Sequence, residues 1–266
     1  MIAWLSLTKK ELRLGFISFL IPVIAFIAVA AIATFFGYRA GYTWEVLAVV
    51  SVVATGMQVF YLTYYLLSSL QSERKKLHLW LHNPLPAYAL LLAKVVAGLF
   101  SMIVTLMLTV GVFFTATHLS DDFSAYIPWS LIYENAWIVG LHYFMFAIDL
   151  AVWFLFYWMI YLLLTRYIAP FFSFVVTFII VIVTSTIYGW FTNSLFYHKI
   201  TRWGEIDGSE MLKNFQIDAE ISKESTEFAT EIGGMSVYMG EYVFGIAVAL
   251  LLFFVASWML DRKVEV

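Results

Sequence analysis

Residues 15–36 read GFISFLIPVIAFIAVAAIATFF, an apolar run without a charged side chain. About 20 such residues form a helix long enough to cross the hydrocarbon core of a bilayer. The whole chain agrees with this, since 63% of its 266 residues are hydrophobic and only 12% are charged. A soluble helical bundle would need polar faces at 3.6-residue spacing, which are absent. The run therefore predicts a membrane-spanning helix.

Three basic residues, Lys9, Lys10 and Arg13, precede this run. A basic flank before an apolar segment is also typical of a secretory signal peptide. The run is longer than a signal h-region, however, and the residues after it are a weak cleavage context. We therefore interpret it as the first membrane-spanning helix.

Five further runs of similar character follow, and together they predict an all-α membrane protein with six transmembrane helices in a single transmembrane domain, 1–266. The six runs are 15–36, 46–70, 88–117, 136–164, 167–190 and 241–260. The domain divides into an N-terminal interfacial helix (1–14), helices one to five (15–190) with a loop at 71–87, an enlarged outer loop (191–240), and helix six with its tail (241–266).

The Lys and Arg residues fall mainly on one side of this arrangement, which the positive-inside rule assigns to the cytoplasm. With the N-terminus inside, the inner side receives Lys9, Lys10, Arg13, Arg74, Lys75, Lys76, Lys94, Arg166, Arg262 and Lys263. The N- and C-termini are thus predicted to be cytoplasmic and the outer loop extracellular. The net charge of -3 and the lack of a basic block argue against nucleic-acid binding.

Enzymatic motifs are missing from the sequence. There is no Cys, which excludes thiol nucleophiles, disulfides and thiolate metal sites. The five His residues are scattered, without HExxH spacing, and no G-x-S-x-G elbow or G-x-x-x-x-G-K-[ST] phosphate loop occurs. We expect neither a catalytic nor a metal site, and no bound cofactor.

A charged and Pro-containing stretch, ERKKLHLWLHNPLPAYALLLAK (73–94), separates the second and third runs. Leu77–Leu81 can form a short interfacial helix, and Pro84 and Pro86 force a break before the third helix begins. Two interpretations remain open. The stretch is either an ordinary interfacial loop whose aromatic and basic residues contact lipid, or a docking element for a cytoplasmic partner.

The stretch LHLWLHNPLPAYALLLAKVVAGL (77–99), with Pro84 ten residues before Lys94, resembles the segment after the second span of type-2 ABC exporter permeases. This resemblance implies a coupling helix that contacts a separate ATP-binding subunit. The residues that it assigns to coupling are Leu77, His78, Trp80, Leu81, His82, Asn83 and Pro84. We expect Arg74, Lys75, Lys76 and Lys94 to anchor this region at the cytoplasmic interface, with the Lys94 stem snorkelling outward.

The resemblance also carries expectations about assembly. Two permease chains, identical or paired with a sister subunit, each bind an ATP-binding subunit that holds ATP and Mg²⁺, in a bacterial cytoplasmic membrane. The segment before span one corresponds by position to the amphipathic connecting helix of these permeases, although a simple positive-inside flank explains its basic residues almost as well. The Ser-Arg pair that often follows the proline in this family is replaced here by Leu85–Tyr88.

The fourth run contains two ionisable residues, Asp149 near its middle and His142 seven residues earlier, on the same helical face two turns away. Such residues are costly in a membrane and often mark transport routes. The pair is either a polar patch on the translocation path or a structural feature hydrogen-bonded to neighbouring helices. In the third run, Ala93, Ala97, Ser101 and Thr105 recur at four-residue spacing, which predicts a close packing face.

The resemblance therefore implies that the chain is the permease subunit of an ATP-driven exporter. The aromatic-rich spans favour a hydrophobic or amphipathic cargo, such as a peptide or a lipid-like molecule. The alternatives are a secondary transporter coupled to ions through Asp149 and His142, or a non-transporting membrane scaffold or sensor.

Overall fold

The computed structural model describes residues 2–74, 86–120, 124, 129–206 and 237–261. Within these residues the fold is all-helical apart from one pair of two-residue strands. The elements are α1 (Ile2–Leu14), α2 (Phe16–Ala40), α3 (Thr43–Met57), a 3-10 helix (Gln58–Phe60), α4 (Tyr61–Arg74), α5 (Ala87–His118), α6 (Trp129–Leu164), α7 (Pro170–Thr192), α8 (Leu195–Thr201), β1 (Glu205–Ile206), β2 (Val237–Tyr238) and α9 (Met239–Met259).

The described part contains six helices long and apolar enough to cross a membrane, as the sequence predicts. Their bounds are Phe16–Ala40, Thr43–Glu73, Ala87–His118, Ala136–Leu164, Pro170–Thr192 and Met239–Met259. The second of these consists of α3, the 3-10 helix and α4 in succession. The predicted fold class is thus confirmed in its coarse form, a helical protein with six potential spans.

A tight turn joins the first two spans. Helix α2 ends at Gly41, whose φ of 85° lies in the left-handed region that favours glycine. Its N–H bonds back to the carbonyl of Tyr38, and the Tyr42 N–H bonds to that of Gly37. These bonds satisfy carbonyls that the helix end would otherwise leave free, so α3 begins two residues later.

The chain divides into two compact units, which are described separately. The first comprises Met1–Ile127, Phe146–Met159 and Phe253–Val266, and the second comprises Pro128–Met145 and Ile160–Leu252. Helix α6 contributes residues to both units.

Helix α5 is the centre of the first unit, where α1, α3 and α4 all pack against it. Its predicted small-residue face is buried throughout: Ala93, Ala97, Ser101 and Thr105. At Gly98 in the same face, an added Cβ would lie 2.7 Å from a methyl carbon of Leu62. The small side chains thus let α4 approach closely, as their spacing predicts.

Polar side chains link span two to α5 at the 3-10 helix. The Gln58 amide nitrogen donates to the Thr105 carbonyl and to the Thr109 hydroxyl, at 3.1 Å each. Thr55 donates to the same Thr109 hydroxyl at 3.1 Å. Hydrogen bonds of this kind hold helices together in an apolar environment, where water does not compete for them.

The second unit has a small ordered region between α7 and α9. Ser194 caps α8 by accepting a hydrogen bond from the Tyr197 N–H, and β1 pairs with β2 in antiparallel register. The Tyr197 ring packs edge-on against Phe244. Burial raises the pKa of the Tyr197 phenol, and the negative charge of Glu241 raises it further.

Candidate functional site: a lysine buried between two glutamates

A group of charged side chains lies where α1, α4 and α5 meet. Lys94, in the second turn of α5, has no exposed surface. Its Nζ lies 2.7 Å from Oε2 of Glu11 on α1 and 2.8 Å from Oε1 of Glu73 in the last turn of α4. It also donates to the Ser69 hydroxyl at 2.9 Å. We call these four residues the Lys94 cluster.

The donors and acceptors of the Lys94 cluster are well matched. An ammonium group has three N–H bonds, and Glu11, Glu73 and Ser69 provide three acceptors from two other helices. Burying a charge in an apolar region is costly unless it is paired and hydrogen-bonded, so this arrangement explains how α5 tolerates a fully buried lysine.

This location differs from the expected one. The Lys94 side chain does not snorkel outward, because its ammonium group meets two carboxylates inside the first unit. Pairing with two acids and a hydroxyl satisfies the charge without contact with water.

Helix α1 is held on α5 by neutral contacts as well. The Trp4 indole N–H donates to the Ala89 carbonyl at 3.2 Å, and Leu7 packs with Leu90 and Ala93. These contacts and Glu11 lie along one side of α1 at three- and four-residue spacing, so a single face of the helix is buried.

Tyr65 connects α4 to the end of α1. Its hydroxyl donates to the backbone carbonyl of Glu11 at 3.1 Å. The aromatic ring occupies the space beside Gly15, where any added Cβ would collide with it. Glycine at this position therefore allows α1 and α4 to come into contact at the Lys94 cluster.

The start of α5 has a further anchor. The backbone N–H of Ala87 donates to a carboxylate oxygen of Asp261, just after α9, at 3.1 Å. A negative charge at the N-terminus of a helix is favourable because the first N–H groups have no partner within the helix. The contacts of Glu73 and Ala87 thus fix the chain immediately before and after 75–85.

One oxygen of the Lys94 cluster lacks a partner among the residues that the structure describes. Oε2 of Glu73 is buried and receives no hydrogen bond from them. The cluster has two carboxylates and one ammonium group, so a donor or cation near this oxygen would be favourable.

The coupling residues that the sequence predicts lie outside the described residues. They are Leu77, His78, Trp80, Leu81, His82, Asn83 and Pro84, together with the basic residues Lys75 and Lys76. Arg74 is the last residue of α4, and its side chain is also outside the described part. Most of the predicted outer loop, residues 207–236, is not described either.

The two ionisable residues of the fourth run belong to different units. His142 is exposed, and its Nδ1 lies 2.9 Å from the Tyr242 hydroxyl in the second unit. Asp149 is half-buried in the first unit. The interpretation of these two residues as a polar patch on a translocation path stays a prediction.

Glu11 and Glu73 are not among the site residues predicted from the sequence. A signal for them exists, because the six-span arrangement places Glu11, Glu73 and Lys94 near the same membrane boundary. Two acids and a lysine at one level of a membrane protein favour mutual pairing.

Comparison of the chain with protein-family models, with curated proteins and with solved structures gave no match. In the described part there is also no group of three or more His, Cys, Asp or Glu residues placed to hold a metal ion. The Lys94 cluster is thus the candidate functional site within the described residues.

Proposed function

We propose that this chain is the membrane-spanning subunit of an ATP-driven exporter of the type-2 ABC class, located in a bacterial cytoplasmic membrane. Both termini and the 71–87 loop face the cytoplasm, and the 191–240 loop faces outward. ATP and Mg²⁺ bind to a separate subunit, which docks through Leu77–Pro84. A second permease chain, identical or a sister subunit, completes the translocation path.

One observation supports this proposal beyond the sequence resemblance. The chain on either side of the docking segment is held within the first unit, at Glu73 by Lys94 and at Ala87 by Asp261. Because Lys94 also pairs with Glu11, the end of α4, the start of α5 and helix α1 are joined. A force on the docking segment is therefore passed to three helices together, as a coupling element requires.

The mechanism follows from these links. ATP-driven closure of the partner subunits pushes the docking segments of the two permease chains. Helices α4 and α5 then move as packed elements, and the shared cavity changes from inward to outward access. The chain itself performs no chemistry. Its aromatic-rich spans suit a hydrophobic or amphipathic cargo, such as a peptide or a lipid-like molecule.

The test is recovery of partners from the native membrane. The parent chain and a Leu77→Asp/Trp80→Ala variant are solubilised in mild detergent, and accompanying proteins are identified by mass spectrometry. The matched control is Leu195→Asp/Trp190→Ala, which makes the same two changes at residues that are 89% and 75% exposed.

An ATPase with a phosphate-binding loop should accompany the parent chain and the control, but not the docking variant. Absence of any such ATPase from the parent sample, under conditions that preserve other membrane complexes, would refute the proposal. If an ATPase is recovered, stimulation of its activity by peptides, lipids or inorganic ions then identifies the cargo class. Stimulation by inorganic ions alone would refute the proposed cargo.

Ion-coupled transport is the second candidate, and one observation favours it. The 3-10 helix Gln58–Phe60 interrupts span two near its middle, and Oε1 of Gln58 is buried there without a hydrogen bond from the described residues. Interrupted helices often carry ion sites in secondary transporters. Cargo movement driven by an ion gradient in vesicles without ATP would favour this candidate over the exporter.

A further inference from the structure

The side of α1 that carries Lys9 and Arg13 has no acidic partner for them among the described residues. Glu11 is the only acidic residue between Ile2 and Leu14, and it faces inward to Lys94. Lys9 and Arg13 are exposed, and neither takes part in an ion pair with another described residue. The internal pairing of Glu11 thus leaves a cationic outer face on α1.

Lys9 and Arg13 are one helical turn apart, so they lie on the same side of α1. Two cations at this spacing suit a single phosphate group, which accepts short charge-assisted hydrogen bonds from both. The same four-residue spacing extends in each direction to exposed apolar residues, Leu5 at 59% exposure and Ile17 at 69%.

Exposed apolar residues continue this row into the first span. Helix α2 begins at Phe16, and the carbonyls of Glu11 and Gly15 still accept helical hydrogen bonds across the junction. Ile17, Ile21 and Ile24 recur at helical spacing and are all more than half exposed. They form an apolar stripe that follows the two cations along the helix and is not covered by other described residues.

We infer that Lys9 and Arg13 bind the phosphate group of an anionic phospholipid whose acyl chains lie along Ile17, Ile21 and Ile24. Charge complementarity selects the headgroup, and the start of the first span places the site at the membrane boundary. A free phosphate would satisfy the cations but leave the apolar stripe uncovered. The inference does not depend on the proposed transport function.

The bound phospholipid would hold the exposed face of α1, while the contacts with Lys94 and Ala89 hold its buried face. The position of α1 therefore responds to the anionic lipid content of the membrane. Each basic residue near an anionic surface contributes about 1 kcal/mol of membrane attraction, so removal of both cations should weaken binding about 30-fold.

The test measures lipid binding to the full chain in mild detergent. The parent and a Lys9→Gln/Arg13→Gln variant are titrated with phosphatidylglycerol, phosphatidylcholine and inorganic phosphate, and the bound species are counted by native mass spectrometry. A control variant, Arg39→Gln/Lys199→Gln, removes the same total charge at residues outside α1. A charge-conserving variant, Lys9→Arg/Arg13→Lys, tests whether the charges alone suffice.

We expect the parent, the control and the charge-conserving variant to bind phosphatidylglycerol alike, and the Lys9→Gln/Arg13→Gln variant to bind it about 30-fold more weakly. Phosphatidylcholine and inorganic phosphate should bind weakly to all four. Equal phosphatidylglycerol binding by the parent and the double variant would overturn the inference, and so would an equal loss in the control. Unchanged lipid binding with loss of a co-purified protein would assign this face to a protein partner instead.

Discussion

Lys94 and His142 are both ionisable residues in long apolar helices, but their surroundings differ. Lys94 is fully buried in the first unit and contacts two carboxylates and a hydroxyl from two other helices. His142 in the second unit is exposed and forms one hydrogen bond, to Tyr242. An ionisable residue in an apolar helix is therefore important for stability when several helices supply its partners. Its position within the apolar run does not show whether such partners exist.

The different surroundings of Lys94 and His142 have an energetic consequence. Removing one partner of a buried, fully paired charged group leaves the other charges without compensation, whereas losing one hydrogen bond between two neutral side chains costs far less. Substitutions in the Lys94 cluster should thus be far more costly than substitutions at His142.

The largest effect is expected for Lys94→Met. This change leaves Glu11 and Glu73 buried without a cation, and it should lower the free energy of unfolding by about 3–5 kcal/mol. Unfolding of the detergent-solubilised chain by a denaturing detergent measures the effect. A Lys94→Met/Glu11→Leu/Glu73→Leu variant, which removes all three charges together, should recover most of the loss. An unchanged midpoint for Lys94→Met would show that the cluster is not formed.

A smaller effect is expected for Gly15→Ala. The added methyl group collides with the Tyr65 ring, and relieving the overlap should cost about 1–3 kcal/mol. Gly111→Ala is the control, because nothing lies within 4 Å of its added Cβ. That control should be neutral or stabilising by up to about 1 kcal/mol, since alanine favours the helix. Equal stabilisation by both substitutions would contradict the contact between α1 and α4.

The smallest effect is expected for His142→Phe. The substitution removes one exposed hydrogen bond to Tyr242 and should change the free energy of unfolding by no more than about 0.5 kcal/mol. Tyr242→Phe, which removes the same bond from the other side, should match it. A loss of unfolding free energy comparable to that of Lys94→Met would mean that His142 is as important for the second unit as Lys94 is for the first.

The sequence was sufficient for the six potential spans, because each needs only a long apolar run. It also predicted the packing face of α5, since small residues at four-residue spacing require a close neighbour. The Lys94 cluster was not predicted, because its members come from 11, 69, 73 and 94 in the chain and only the packing of three helices brings them together. Lys94 was expected at the interface because snorkelling is the usual solution for a lysine near a helix end.

The burial of Glu11 could not be predicted from the sequence for the same reason. In the sequence it follows Lys9 and Lys10, and nothing local distinguishes it from a solvated residue. Its burial depends on a cation on another helix. Pairing between charges that are distant in the sequence depends on the tertiary structure. The sequence alone therefore identifies candidate residues but not which of them pair.

Through its ion pair with Glu11, Lys94 joins α1 to α5. A double-mutant cycle tests it most directly, with Lys94→Met, Glu11→Gln and the two combined, each measured as a free energy of unfolding in the same detergent. For residues in contact within one charged network, we predict an interaction energy of about 2 kcal/mol. Additive single effects, with an interaction energy near zero, would contradict the claim.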